Sequence, residues 1–222
     1  MTNTFLFSKE HLVILLIFAL YLYFVPKLTK NLLPYSYLVE KIICGLIVLE
    51  IVLEQATLMS LDQYNVLECL PIGIGSFTAY ICICILFFKQ YQLFNVFFSW
   101  SLVSTIGELI FFKDVGCRFP NVIYFLYIGS KFLLIYANVY MCEVRKFKIS
   151  NSAIKDNLLM CLIYFSFILL LNTLSNAHYY YTFATYNIFS ILIFVLLTTL
   201  IYIPYLLSNH NNKIRFIKKR SK

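Results

Sequence analysis

Charge is scarce in this sequence. Of its 222 residues only 28 are charged, 18 Lys or Arg and 10 Asp or Glu, about half the share of an ordinary soluble domain. Six of these charges fall in the last ten positions, so the remainder of the chain is only thinly charged. Hydrophobic residues make up 61% of the chain and aromatic residues 18%. This composition excludes a soluble globular protein and predicts a membrane protein.

The sequence also lacks a cysteine framework and a nucleic-acid-binding pattern. Its seven cysteines are an odd number without the paired spacing of zinc or disulfide sites, so we interpret them mainly as small membrane hydrophobes. His11, Glu68 and His178 are too scattered to predict a metal site. The net charge of +8 is not accompanied by interleaved basic and aromatic residues in a polar segment. We therefore predict no metal, no cofactor and no nucleic-acid partner.

Seven apolar segments are candidates for membrane-spanning helices. The connections between them are short, and no repeat, linker or second domain is visible. The sequence therefore predicts an all-α, polytopic membrane protein, a single bundle over residues 1–222 with about seven transmembrane helices. The predicted spans are 11–25, 37–59, 70–88, 94–112, 122–142, 158–174 and 183–207.

Basic residues alternate between the connections, with fourteen on one side of the predicted bundle and three on the other. Because Lys and Arg are enriched in cytoplasmic loops, this asymmetry predicts an outside N-terminus and a cytoplasmic C-terminus. The basic tail 208–222 anchors this topology or, alternatively, lies against anionic head groups. The larger set comprises six tail residues with Lys27, Lys30, Lys41, Lys89, Arg145, Lys146, Lys148 and Lys155; the smaller comprises Lys9, Lys113 and Arg118.

Polar residues recur at helical spacing inside three spans. Because an ionisable group in hydrocarbon costs roughly 2.5 to 3.5 kcal/mol, each should face the bundle interior and have a partner. We expect the polar faces to converge, with an ion pair between Lys131 and Glu108 or between Lys131 and a glutamate of the second span. The predicted intramembrane cluster comprises Glu50, Glu54, Ser101, Ser104, Glu108, Tyr127 and Lys131.

Small residues mark the start of the third span. Pro71 suits the first turn of a helix, where its missing amide hydrogen costs nothing. Gly75 and Ala79 are four residues apart, and Gly73 precedes them. This spacing favours close packing against another helix rather than a phosphate-binding loop.

Short motifs occur in a characteristic order: an early His11, then Leu70-Pro71, Phe119-Pro120 and Leu171-Asn172. In these motifs the chain resembles the YwaF-type integral membrane proteins of bacteria, whose mammalian relatives are phospholipid acyltransferases. The resemblance implies a membrane bundle and an activity on lipid acyl chains. Abundant Ile, Asn, Lys, Phe and Tyr indicate an AT-rich genome, which fits a bacterial plasma membrane protein.

The departures from the resembled pattern fall on its reactive residues. Where that pattern has His and then Cys after the Leu-Pro, this sequence has Gly73 and Gly75. A His of the pattern is replaced by Lys131, and a Gln by Glu108. The nucleophile and base that the resemblance implies are therefore absent, and the remaining weak catalytic candidates are Ser76, Cys69 and His178.

Three functions remain open at this point. The first is a non-catalytic scaffold or accessory subunit of a membrane complex, which accounts for the missing nucleophile. The second is a membrane lipid acyltransferase that uses another group. The third is a small-solute transporter or substrate-binding component, in which the intramembrane charges line a cavity. The partners we expect are membrane lipids and a membrane protein.

Overall fold

The computed structural model describes residues 9–62, 64–110, 122–175, 177, 179–182 and 187–205. In this part of the chain the secondary structure is helical, without a β-strand, and short 3₁₀ turns follow α1 and precede α5. The helices are α1 (Lys9–Thr29), α2 (Ser36–Ser60), α3 (Val66–Cys69), α4 (Ile74–Leu86), α5 (Phe94–Ile110), α6 (Val122–Glu143), α7 (Ala153–Ser175) and α8 (Ile188–Leu200).

Among the described residues, six segments are long and apolar enough to cross a membrane, and these contain α1, α2, α5, α6, α7 and α8. The 13 residues of α4 extend about 20 Å, short of the roughly 30 Å hydrocarbon core of a bilayer. The predicted all-α, polytopic membrane fold is confirmed. Of the seven predicted spans, the third corresponds to α4, which is shorter than the other six. The orientation in the membrane and the role of the tail 208–222, which lies outside the described residues, stay predictions.

The third span begins later than predicted. Leu70 has an extended backbone (φ −59°, ψ 140°), and α4 starts only at Ile74, after Gly73 as its N-cap. The cause is Pro71, whose ring disfavours helical backbone at the preceding residue. Pro71 therefore lies in a turn between α3 and α4 and not in the first turn of a helix.

The α5 helix lies at the centre of the bundle, where it contacts α4, α6, α7 and α8. Around it, α2 packs on α4 and α6, while α1 packs on α6. Aromatic side chains fill the core beside α5. The Trp100 ring lies 5.5 Å from that of Tyr164 on α7 and 5.6 Å from that of Phe194 on α8. These contacts bury most of α5, including Ser101, Ser104 and Thr105, so these polar residues lie inside the bundle.

Asn157 on α7 links three helices in the core. It is fully buried, and its side-chain oxygen accepts a hydrogen bond from the Trp100 ring nitrogen at 2.8 Å. Its amide nitrogen donates to the hydroxyl of Thr198 on α8 at 3.1 Å. A buried polar group is stabilising only when it is bonded in this way, so Asn157 sets how α5, α7 and α8 fit together.

A buried carboxylate ties the helices at the opposite end of the bundle from α3. Glu40, in the second turn of α2, is 3% exposed and forms ion pairs with Lys89 and with Arg145. Lys89 follows α4, and Arg145 follows α6. Lys89 and Arg145 both belong to the fourteen basic residues that the sequence predicts on one side of the membrane. Their shared contact with Glu40 agrees with that prediction.

Candidate functional site

A cavity of about 300 Å³ lies between α2, α4, α5 and α6 at the end of the bundle that carries α3. Residues 179–182, which follow α7, also border it. Its walls combine apolar side chains with charged and hydroxyl groups. The polar lining residues include Glu50, Glu54, Gln55, Glu68, Cys69, Ser76, Glu108, Tyr124, Tyr127, Ser130, Lys131, Tyr179, Tyr180 and Thr182.

Lys131 on α6 and Glu108 on α5 form an ion pair in the wall of this cavity. Their side chains are only 8% and 13% exposed. The Lys131 amine also lies 4.5 Å from the centre of the Tyr127 ring, whose hydroxyl donates to the carbonyl oxygen of Glu108 at 3.2 Å. Of the partners that the sequence left open for Lys131, the structure selects Glu108.

Gly75 on α4 lies directly against this ion pair. A Cβ atom at Gly75 would lie 3.0 Å from the amine of Lys131 and 3.1 Å from each carboxylate oxygen of Glu108. The pair therefore fills the space that a side chain at position 75 needs. At Gly73, in contrast, a Cβ atom would meet nothing within 4 Å. The close neighbours of Gly75 are thus charged side-chain atoms, whereas the sequence predicted close packing against another helix.

Glu50 and Glu54 contribute two more carboxylates from one face of α2. Both are partly buried, and no described Lys or Arg lies within ion-pair distance of either. Glu68 borders the cavity as well. Since Lys131 is already paired with Glu108, the cavity holds more carboxyl groups than basic groups.

The segment 179–182 is fixed over one end of the cavity by hydrogen bonds. The Asn172 side chain, on the last turns of α7, accepts from the Tyr179 amide at 3.0 Å and donates to the Tyr179 carbonyl at 2.8 Å. The Tyr179 hydroxyl donates to the Val66 carbonyl of α3. Burial raises the pKa of this Tyr179 hydroxyl, which therefore stays a neutral donor at physiological pH. Gln55 joins α2 to α3 by donating to the Cys69 carbonyl at 3.0 Å.

The predicted site residues divide into two groups in the structure. Lining the cavity are Glu50, Glu54, Gly73, Gly75, Ala79, Glu108, Tyr127 and Lys131, together with the weak catalytic candidates Ser76 and Cys69. Ser101 instead lies deeper on α5, where Asn138 of α6 donates to it. Ser104 lies on the same face of α5 between Ser101 and Glu108. His178 and the side chain of His11 lie outside the described residues.

The sequence did not single out Gln55, Tyr124, Tyr179 or Thr182 as site residues. Gln55 was detectable, because it is a polar residue beside Glu54 inside an apolar span. The other three are ordinary interfacial residues in sequence, and only the folding of residues 179–182 over α3 brings two of them to the cavity. In the described part of the chain, no group of three His, Cys, Asp or Glu residues is arranged to hold a metal ion.

Comparison with known proteins gives one match. The sequence model of the TMEM164 family, a membrane protein family, matches residues 6–211. No curated protein and no solved structure matches the chain. The matched segment includes every helix described above and every residue of the cavity. Because the match extends over nearly the whole chain, this multi-pass membrane protein belongs to the TMEM164 family.

Proposed function

We propose that this protein is a non-catalytic membrane protein that binds a small amphipathic molecule, or one end of a lipid, in its intramembrane cavity. The observation that carries the proposal is the cavity itself, about 300 Å³ in volume and lined by both apolar and charged groups. Its size is at the lower end of the range for ligand pockets, so it suits a small molecule or a head group. Charged groups inside a membrane bundle are costly and are retained most often where a ligand or ion binds.

The surroundings of Gly75 argue against nucleophilic catalysis at that position. The YwaF resemblance implies a Cys there, but the Lys131–Glu108 pair occupies the space into which its side chain would extend. The charged residues at 108 and 131 and the glycine at 75 therefore form one consistent arrangement. This arrangement supports a binding role, which does not need a nucleophile.

Acyl transfer is the second candidate function, and one observation favours it. Cys69 and Ser76 both border the cavity, so either could meet a lipid bound there. A nucleophile of this kind needs a base within hydrogen-bond reach. The resemblance to acyltransferases supports this candidate, and the YwaF-type assignment itself stays a prediction.

The predicted role as an accessory subunit, in a bacterial plasma membrane, also stays a prediction. A ligand-binding bundle of this kind is compatible with such a role, because it has broad apolar outer faces. Leu162 on α7 and Leu16 on α1 are examples, 67% and 62% exposed respectively. In a membrane these faces meet lipid or another membrane protein.

Native mass spectrometry of the protein, extracted from its own membrane in mild detergent, separates the three roles. We expect a non-covalent small-molecule or lipid adduct, lost when Ala79→Phe fills the cavity and retained in Ala56→Phe on the outer face of α2. Ser76→Leu, a smaller change in the cavity wall, repeats the test if Ala79→Phe does not fold. A covalent acyl adduct on Cys69 or Ser76 would support acyl transfer, and a stoichiometric protein partner without adduct would support the subunit role.

A further inference from the structure

Carboxyl groups outnumber basic groups around the cavity, which favours a ligand that carries a positive charge. Glu50 and Glu54 present two carboxylates one helical turn apart on α2. The described cation nearest the centre of the site, Lys131, is already engaged by Glu108. Two carboxylates in a partly buried, low-dielectric site are stabilised by a cation, and the described part of the chain supplies none within ion-pair distance.

Two buried hydroxyls lie on α5 within about one helical turn of Glu108. Ser104 and Thr105 on α5 are fully buried, and their hydroxyl oxygens make no hydrogen bond to any residue that the structure describes. Most buried hydroxyls in proteins are bonded, so two adjacent exceptions require an explanation. Each hydroxyl can donate as well as accept a hydrogen bond.

Ser104 lies deeper in the bundle than the ion pair and is not one of the residues that line the cavity. The lining residues Ala79 and Leu134 are one turn further into the bundle than Gly75 and Lys131. Ser104 is likewise one turn further in than Glu108, on the same face of α5. Its hydroxyl therefore lies one turn inward from the ion pair.

Tyrosine residues form an aromatic wall of the cavity, and one of them, Tyr127, already contacts the ammonium group of Lys131. The amine of Lys131 lies 4.5 Å from the centre of the Tyr127 ring, a cation–π distance. Tyr124 and Tyr180 also border the cavity, so their rings add to this wall. Carboxylates and aromatic faces together are groups that bind alkylammonium ions.

We propose that the cavity binds a ligand through an ammonium group, which lies between Glu50 and Glu54 of α2 and the tyrosine-lined wall of α6, with its alkyl portion against Leu58 and Leu133. This inference rests on the proposed ligand-binding function and names the chemistry of the ligand. A free alkylamine and the amine head group of a lipid share this chemistry. Binding requires no covalent step and leaves the Lys131–Glu108 pair intact.

The test measures how fast N-ethylmaleimide alkylates Cys69, which borders the cavity, by peptide mass spectrometry on the full-length protein in phosphatidylglycerol vesicles. The probes are hexylammonium and two isosteres of similar length, neutral hexan-1-ol and anionic hexanoate. We expect hexylammonium to slow alkylation at concentrations about tenfold lower than hexan-1-ol, since a charge-assisted hydrogen bond is stronger than a neutral one. Hexanoate should not protect Cys69.

Variants assign the effect to the two carboxylates. In Glu50→Gln/Glu54→Gln the advantage of hexylammonium over hexan-1-ol should disappear, and Glu50→Asp/Glu54→Asp should restore part of it. Glu143→Gln, at the opposite end of the bundle, is the matched control and should behave as wild type. Retained protection by hexan-1-ol in the Gln variant shows that the cavity has folded.

The possible outcomes distinguish the two proposals. If hexan-1-ol protects as well as hexylammonium in the wild type, the cavity binds ligands but the ammonium inference is wrong. If no probe protects Cys69, the ligand-binding function itself is wrong. If hexylammonium does protect Cys69, vesicles that contain phosphatidylethanolamine show where the bound ammonium group comes from. Protection in these vesicles without hexylammonium indicates a lipid head group. Protection only after hexylammonium is added indicates a free amine.

Discussion

Gly75 lies against the Lys131–Glu108 pair, so a side chain at this position would require the pair to shift by a few tenths of an ångström. These three residues come from three helices, α4, α5 and α6. They therefore form one packing arrangement, which the sequence shows only as separate positions.

Gly75→Ala should lower the stability of the protein. The added methyl group meets the amine of Lys131 at 3.0 Å, and this amine is held in a buried ion pair, so we expect a loss of about 1 to 3 kcal/mol. Thermal unfolding in detergent measures the change. Gly45→Ala inside α2 is the control, because a Cβ atom there meets nothing within 4 Å and alanine favours the helix by up to about 1 kcal/mol. Equal stabilities of the two variants would contradict the steric argument.

Lys131→Met alone should destabilise the protein by about 3 to 5 kcal/mol, because it leaves Glu108 charged and unpaired in a nearly buried site. Glu108→Gln added to it should recover most of that loss, since two neutral groups of similar shape replace the pair. Expression level and the unfolding temperature report both effects. A double variant no more stable than Lys131→Met would show that the pair does not account for the loss.

Among the helices, α2 runs from the end of the bundle with the Glu40 ion pairs to the end with the cavity. Its second turn carries Glu40, which is paired twice, and its later turns carry Glu50 and Glu54 in the cavity wall. All three are glutamates in an apolar helix, and their sequence context does not distinguish them. Their different roles follow from the loops that reach α2: basic residues after α4 and α6 reach Glu40, while none of the described cations reaches the other two.

Glu40→Leu should destabilise the bundle by about 1 to 3 kcal/mol, because it removes the buried carboxylate that joins Arg145 and Lys89 to α2. Glu143→Leu is the matched control on α6. Its carboxylate is 39% exposed and only loosely paired, at 3.7 Å from Lys30 and 3.8 Å from Lys146, so its loss should change stability by less than about 1 kcal/mol. Denaturation of both variants in the same detergent gives the comparison.

Asn157→Leu should weaken the contact of α5 with α7 and α8. It preserves the side-chain volume but leaves the Trp100 ring nitrogen without its acceptor, so we expect a loss of about 1 to 3 kcal/mol. Fluorescence of Trp100, the one tryptophan of the sequence, reports whether its surroundings loosen. Thr173→Val on the same helix bonds only to its own α7 carbonyls, so its effect should be small. A similar loss in both variants would argue against the interhelical role.

At the scale of the whole molecule, charge is distributed between two ends. The end with α3 contains the acid-rich cavity, and the opposite end contains Lys30, Lys89, Arg145 and Lys146. Ion pairs between segments far apart in sequence hold the second end together. This separation gives the positive-inside rule a clear basis for orientation.

We therefore expect the basic end and the C-terminus to face the cytoplasm. Green fluorescent protein fused after residue 222 should fluoresce, and alkaline phosphatase fused there should be inactive. Alkaline phosphatase inserted after Asp62, next to the cavity end, is the converse control and should be active. Activity at the C-terminus together with inactivity at Asp62 would reverse the predicted orientation.

The fold class could be read from the sequence because the physics is local. Long apolar runs demand internally bonded helices in a membrane, and helical spacing alone placed Glu50 with Glu54 and Ser104 with Glu108. The start of α4 was misjudged, since the effect of Pro71 on Leu70 competed with the apolar run that begins there. The partner of Lys131 stayed open, because helical spacing fixes a face but not the neighbouring helix.

The apolar segments and their few charged residues are enough to predict an all-α, multi-pass membrane protein with charges inside its spans. Hydrophobic length, helical period and charge count are properties of each segment alone. Which of these charges form ion pairs depends instead on the tertiary structure. It paired Lys131 with Glu108 against Gly75, and it left Glu50 and Glu54 facing a cavity without a described cation in reach. Such contacts depend on how α2, α4, α5 and α6 rotate and pack, which is set by the fit of all their side chains together.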